Sequence, residues 1–190
     1  MNLRNTALLL LAVIIWAMKS TDVLSVEIAG VSFADTYNIG NTRLTITGVG
    51  LLRYMVFIKA YVAAFYLEDG ADVENALSVM PKRLEIQYFH PIKAKDFAFS
   101  TDKLIAENVE PELIARLRPR IDRINELYED VEPGDRYSLT YIPGKGTEIA
   151  LNGQPKGIIE GADFASAIFS IWLGPKPLSR SLKAALLGKQ

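Results

Sequence analysis

Cysteine is absent from the chain. No disulfide, thiolate nucleophile or cysteine-ligated zinc can form, in whatever compartment the protein resides. Histidine is nearly absent as well: His90 is the only one, so no Ser-His-Asp arrangement, HExxH motif or histidine cluster can be built except around it. Standing between Phe89 and Pro91 at the end of a strand-like run, His90 reads as a surface or capping residue, with a base near a cleft as the alternative role. An excess of charge of one sign is lacking too. The 21 basic residues nearly balance the 22 acidic ones and form no run of five or more, which sets aside a nucleic-acid partner held through phosphate contacts. The apolar run from Ala7 to Met18 is about a dozen residues, short of the roughly 20 that span a bilayer as a helix.

That run, preceded by Arg4 and followed by Lys19-Ser20-Thr21-Asp22, has the layout of a secretory signal peptide over residues 1–25. Val23-Leu24-Ser25 ahead of Val26 is the best cleavage site, and it leaves residues 26–190 as a periplasmic or secreted domain with no stable membrane span. An uncleaved anchor is the alternative. The 190 residues suffice for one sizeable core and are short for two.

The remaining chain is organised around Thr47 to Asp69, a stretch rich in aromatic and β-branched residues that contains no proline and opens on Gly48-x-Gly50. On a period of two, Arg53, Met55, Phe57, Lys59, Tyr61 and Phe65 share one face, and Leu52, Tyr54, Val56, Ile58 and Val62 share the other. Both faces are expected to be buried. A guanidinium among Met, Phe and Tyr side chains then needs an opposite charge, supplied by a protein carboxylate or by a bound ligand. If Arg53 and Tyr61 are to line one pocket, a bulge or tight hairpin has to lie between them, because eight residues of straight strand span about 26 Å.

The flanking segments alternate between the two regular periods. Val26–Phe33 reads as an opening hairpin, Ala71–Met80 as a short helix closed by Pro81, and Lys82–His90 as a strand. Helices are expected over Lys93–Val109 and Pro111–Val131, the second kinked or broken at Pro119. Arg116, Arg118, Arg120 and Arg123 read as a solvated face balanced by Asp122, Glu126, Glu129 and Asp130. Strands about Tyr137–Tyr141, Thr147–Leu151 and Gln154–Ile159 follow, with Asn152-Gly153 as a type I′ turn. Pro143-Gly-Lys-Gly-Thr147 lacks the spacing and the following helix of a phosphate-binding loop, and reads as a hairpin loop. Ala162–Leu173 and a last helix capped by Ser179 and stopped by Gly188 complete an α+β order with an antiparallel sheet.

Gly48-x-Gly50-x-x-Arg53 leading into Lys59–Leu67, Gly134-Asp135, Pro143-Gly144-x-Gly146-Thr147, Asn152-Gly153, Gly161-x-Asp163-Phe164, and Ile171-Trp172-Leu173-Gly174-Pro175-x-Pro177 before Leu182-Lys183 occur in that order. Together they resemble the chalcone isomerase-like family, in its bacterial exported branch, over nearly the whole mature chain. The resemblance implies an open-faced β-sandwich in which a large antiparallel sheet lies under a layer of helices, with a cleft between them.

In the plant enzymes of that family an arginine, a threonine, a tyrosine and an asparagine line the cleft, and related members hold a fatty-acid carboxylate with the arginine. Carried over by resemblance, Arg53 takes the arginine position, Tyr61 the threonine position, Thr101 the tyrosine position and Asn108 the asparagine position, while a later hydroxyl falls at Ile171. With one hydroxyl lost and two changed, Arg53 and Tyr61 remain as a pair able to bind a carboxylate or phenolate. The expected function is therefore binding of a small amphipathic anion, a fatty acid or a phenolic or aromatic acid, without efficient chalcone cyclisation. Arg53, Tyr61, Lys59, Thr101 and Asn108 are the expected ligand-binding residues, Met55, Phe57, Phe97 or Trp172 the apolar lining, and no metal or cofactor is implied. Two alternatives stand beside it: an isomerase or intramolecular lyase acting on a chalcone-like enone with Arg53 and Tyr61 as catalytic groups, and a structural or partner-binding protein in which Arg53 is merely salt-bridged.

Overall fold

A computed structural model describes residues 24–55 and 57–189. The expected leader lies outside them except for Leu24 and Ser25, and Ser25 opens the first strand. That strand, β1 (Ser25–Ile28), forms an antiparallel hairpin with β2 (Val31–Ala34). Next come β3 (Thr36–Ile39), β4 (Thr42–Tyr54), β5 (Ile58–Glu68) and β6 (Lys82–Tyr88), then helices α1 (Ala94–Asn108) and α2 (Pro111–Leu127). The strands β7 (Arg136–Ile142), β8 (Gly146–Leu151) and β9 (Gln154–Ile159) precede α3 (Ala162–Leu173) and α4 (Arg180–Leu186). Strands β3 to β9 make one seven-stranded antiparallel sheet in sequence order. This is the α+β, helix-covered sheet expected from the order of elements.

Burial of β5 on both faces explains why its sequence is apolar without alternation. Tyr61, Ala63, Phe65 and Leu67 point to the helices, where they meet Ile105, Leu117, Ile121, Phe164, Phe169 and Leu186. Val62, Ala64 and Tyr66 point the other way and pack with Val31, Phe33 and Leu44 under the β1–β2 hairpin. Gly48 and Gly50 let α4 approach: a Cβ at Gly48 would run into the backbone carbonyl of Ala185, and one at Gly50 into the Leu182 side chain. At the other turn, Asn152 and Gly153 both have positive φ, 51° and 76°, as the Asn-Gly pair requires.

Three expectations are corrected. The stretch Ala71–Met80 forms only a 3-10 turn, Val73–Asn75, because side chains compete with helical hydrogen bonding. Asp72 accepts from the Glu74 amide and the Asn75 side chain, while Lys82 Nζ donates to the carbonyls of Ala76 and Ser78, each at 2.6 Å. Helix α2 continues through Pro119 to Leu127, so the break offered there as one of two alternatives does not occur. Leu117, Ile121 and Ile124 are buried on either side of it, and tertiary packing outweighs the lost hydrogen bond. Its arginines, half-exposed to exposed, also tie helices together: Arg118 reaches Asp102 on α1 at 2.9 Å, and Arg120 makes a two-pronged pair with Asp163 on α3 at 2.7 and 2.8 Å.

The third correction concerns Thr47–Asp69. Both faces are buried only from Tyr61 to Leu67, while Arg53, Tyr54, Met55, Phe57, Ile58 and Lys59 are exposed around a hairpin turn. A bulge shifts the register here, so that Arg53 pairs with Lys59 and Leu52 pairs with Tyr61, leaving Ala60 as the extra residue. One added residue reverses the alternation. Lys59 therefore lies over Phe89, 5.9 Å from its ring centroid, on the side facing the β1–β2 hairpin, and Arg53 opposite it shares that side.

Candidate functional site

A cavity of about 190 Å³ lies between the helices and the ends of β5, β6 and β7. The antiparallel register places Tyr61 beside Tyr88, and Tyr137 beside Ile86, so three tyrosines project from neighbouring strands into one space. Helix α1 adds Asp96, Phe97, Ser100, Thr101 and Leu104, which recur at steps of one, three and four and so share one helical face. Ile171 and Trp172 from α3, Tyr128 after α2, and Leu178 close the remainder. Asp96 and Ser100 are exposed and mark the rim.

The aromatic rings form a connected wall. Tyr88 meets Tyr61 and Phe97 edge to face at 5.8 and 5.3 Å between centroids, and Phe97 stacks on Tyr128 at 5.3 Å. Their hydroxyls are held differently. Tyr61 accepts from Trp172 Nε1 at 3.0 Å, which leaves its own proton available to donate. Tyr128 shares a 2.9 Å hydrogen bond with Thr101, and Tyr137 is bound to both the amide and the carbonyl of Glu129. Tyr88 makes none of these bonds and faces the cavity. Burial pushes the Tyr61 hydroxyl well above its ordinary range despite the hydrogen bond from Trp172. Burial likewise raises Tyr88, and takes Tyr128 to about 12. All stay neutral near pH 7, so they donate hydrogen bonds and cannot act as bases.

Among the described residues that line the cavity there is no Lys, Arg or His. The expected site residues accordingly divide. Tyr61 and Thr101 line the cavity, with Phe97, Trp172 and Ile171 beside them. Arg53, Lys59, Met55 and Phe57 do not, because the bulge and turn carry them to an exposed tip. Asn108 is also elsewhere: it donates to the carbonyls of Leu104 and Lys176 and accepts from the Lys176 amide, tying the end of α1 to the segment after α3. Among the described residues, Arg53 has no acidic partner within salt-bridge distance, so the internal ion pair offered as an alternative is not formed either.

Sequence reasoning missed Tyr88, Tyr128, Tyr137, Ser100 and Asp96 as lining residues. Tyr88 and Tyr137 were legible as inward strand positions, yet only the strand register brings them to one place. A buried ionic group was missed as well: on the other side of the sheet Glu85 accepts from Arg83 Nη2 at 2.6 Å and from Arg136 at 3.3 Å. Arg83 also stacks on Tyr37 at 3.8 Å and bonds Thr140, so these cations are occupied within the fold. A second hollow, of about 240 Å³ between residues 73–78 and α4, holds Lys183 and Lys189, which are engaged by the Gly174 carbonyl and Glu74.

The family model for chalcone isomerase-like proteins matches residues 25–188. The chain belongs to the chalcone isomerase-like family. Among solved structures, this chalcone isomerase-like chain is similar to a fatty-acid binding protein of Arabidopsis thaliana. The TM-score is 0.68 at 14% sequence identity, over 87% of this chain and 96% of that one, a likeness of fold. Among curated proteins none matches the chain. Of the residues expected from the resemblance, Tyr61 and Thr101 open on the cavity, while Arg53 after the Gly-x-Gly does not line it.

Proposed function

We propose that the protein binds a small amphipathic molecule of the fatty-acid or phenolic-acid class, with its apolar part inside the tyrosine-lined cavity. The observation that carries this reading is the lining itself: aromatic and aliphatic walls, a few neutral hydroxyl donors and, among the described residues, no cation. A carboxylate taken deep into such a space would lose water without gaining a charge partner, at a cost of several kcal/mol. Its head group therefore stays hydrated at the mouth beside Ser100, turned away from the Asp96 carboxylate, or enters protonated and accepts from Tyr61 or Tyr88. The fatty-acid binding protein of the same fold supports the ligand class.

Arg53 and Tyr61 stand on opposite faces of the sheet, so the pair that would polarise an enone and hold its phenolate is not assembled. A ligand carrier is favoured over a chalcone-cyclising enzyme for that reason. Residues 1–25 support export to the periplasm or beyond, which N-terminal sequencing of the mature protein tests.

The discriminating measurement is calorimetric titration with a fatty acid, its methyl ester and the corresponding alcohol. The ester and alcohol are expected to bind at least as tightly as the acid at pH 7, and the acid to tighten as pH falls. An acid preferred more than roughly tenfold over its ester would mean that a cation reaches the head group, and would overturn this arrangement. Absence of saturable binding by all three, together with no co-purifying small molecule in native mass spectrometry, would overturn the carrier reading altogether.

A further inference from the structure

The tip of the β4–β5 hairpin exposes a cluster of large apolar side chains that the cavity does not use. Phe57 is 87% exposed, Met55 69%, Tyr54 64% and Ile58 43%. Arg53 and Lys59 flank them as an exposed cross-strand pair. Residues 36–67 contain Arg43, Arg53 and Lys59 and not one Asp or Glu, so the whole arm is of one sign. The last register pairing of β5 with β6 is Tyr61 with Tyr88, the Phe89 amide still donates to the Ala60 carbonyl at 3.1 Å, and Lys59 and Ile58 carry β5 about 7 Å further towards the tip. Met55 adopts φ of 48°, a left-handed turn position that suits Gly or Asn, yet it carries an apolar side chain instead. A folded domain gains nothing from this cluster in water.

We infer that this tip docks on an anionic phospholipid bilayer, with Tyr54, Met55, Phe57 and Ile58 entering the interface and Arg53 and Lys59 meeting lipid phosphates. The dimensions agree with interfacial insertion to roughly 5–10 Å. Aromatic and aliphatic residues ringed by basic ones suit the boundary between head groups and acyl chains. With no acid in residues 36–67, Arg53 and Lys59 keep their charge unopposed at the tip, which leads the acids Asp96 and Asp135 set further back at the same end of the sheet. The tip lies at the sheet end that carries Tyr61, Tyr88 and Tyr137, so docking brings the cavity to the membrane; the docking itself requires no ligand in the cavity.

The test exploits the lack of cysteine. In the full chain, Phe57→Cys carries an environment-sensitive fluorophore, and Lys145→Cys, an exposed residue at the opposite end of the sheet, carries the same label as a control. Vesicles of phosphatidylcholine and phosphatidylglycerol in equal parts are expected to shift the emission at 57 to the blue and leave that at 145 unchanged. In flotation assays Phe57→Asp is expected to weaken binding roughly tenfold, and Arg53→Gln with Lys59→Gln to weaken it and flatten its salt dependence. Because these side chains are exposed, circular dichroism and the melting temperature of the variants should match the parent. An unshifted label at 57 while the protein floats would place the contact on another segment and overturn the proposal. So would equal binding to phosphatidylcholine alone, or self-association in sedimentation velocity that Phe57→Asp abolishes without any vesicle binding, which would assign the tip to a second copy.

Discussion

Tyr61 accepts from the Trp172 indole and keeps its own hydroxyl proton for a guest. Tyr61→Phe should weaken ligand binding about fivefold, the value of one neutral hydrogen bond near 1 kcal/mol, while leaving the ring packing intact. Titration calorimetry of the two proteins with the same alcohol measures it. Glu85 illustrates the larger stakes of a charged contact. Among the described residues it alone neutralises the buried Arg83 guanidinium, so Glu85→Ala should cost about 3–5 kcal/mol in urea unfolding. Removing Glu126 from its exposed pair with Arg123 should cost less than about 0.5 kcal/mol in the same experiment.

Helix α4 lies directly against β4 at Gly48 and Gly50. Gly48→Ala would drive a methyl group into the Ala185 carbonyl and force the helix outward, with a loss of about 1–3 kcal/mol visible as a lower melting temperature. Much of this level was legible in the sequence. The two long helices, the Asn152-Gly153 hairpin and the Ser179 cap, which accepts from the Leu182 amide at 3.2 Å, depend on residues a few positions apart. The segment after Glu68 was not legible, because the group that holds it open, Lys82, belongs to the next strand. Nor was the bulge at Ala60, since a single extra residue leaves no composition signal and still changes the face on which Lys59 emerges.

For the molecule as a whole, burial of ionisable groups sets a distinctive pH profile. Lys82 is enclosed beside Tyr141 and Phe169, and desolvation lowers its ammonium from the ordinary 10.5 to about 8. The unfolded chain therefore binds a proton there that the folded one gives up between those values. Stability should rise as pH increases from 8, by up to about 3 kcal/mol if nothing else titrated. Burial raises Tyr61, Tyr66, Tyr88, Tyr128, Tyr137 and Tyr141, whose contribution is complete below pH 10 and is lost above it as the unfolded phenols ionise. Urea midpoints should thus peak near pH 10, and Lys82→Met should remove the rising limb while keeping the fall. A flat profile from pH 8 to 10 in the parent would contradict the burial of this ammonium.

The amino-acid order alone determined the fold class and most element boundaries, because strand alternation, helical spacing and turn chemistry act over a few neighbouring residues; the resemblance carried by its ordered motifs pointed to the family and to Tyr61 and Thr101. Only the tertiary structure decided that four tyrosines from three strands and a loop share one cavity, and that Arg53 lies outside it. Strand register and one bulged residue settle both matters, through hydrogen bonds between segments far apart in the chain.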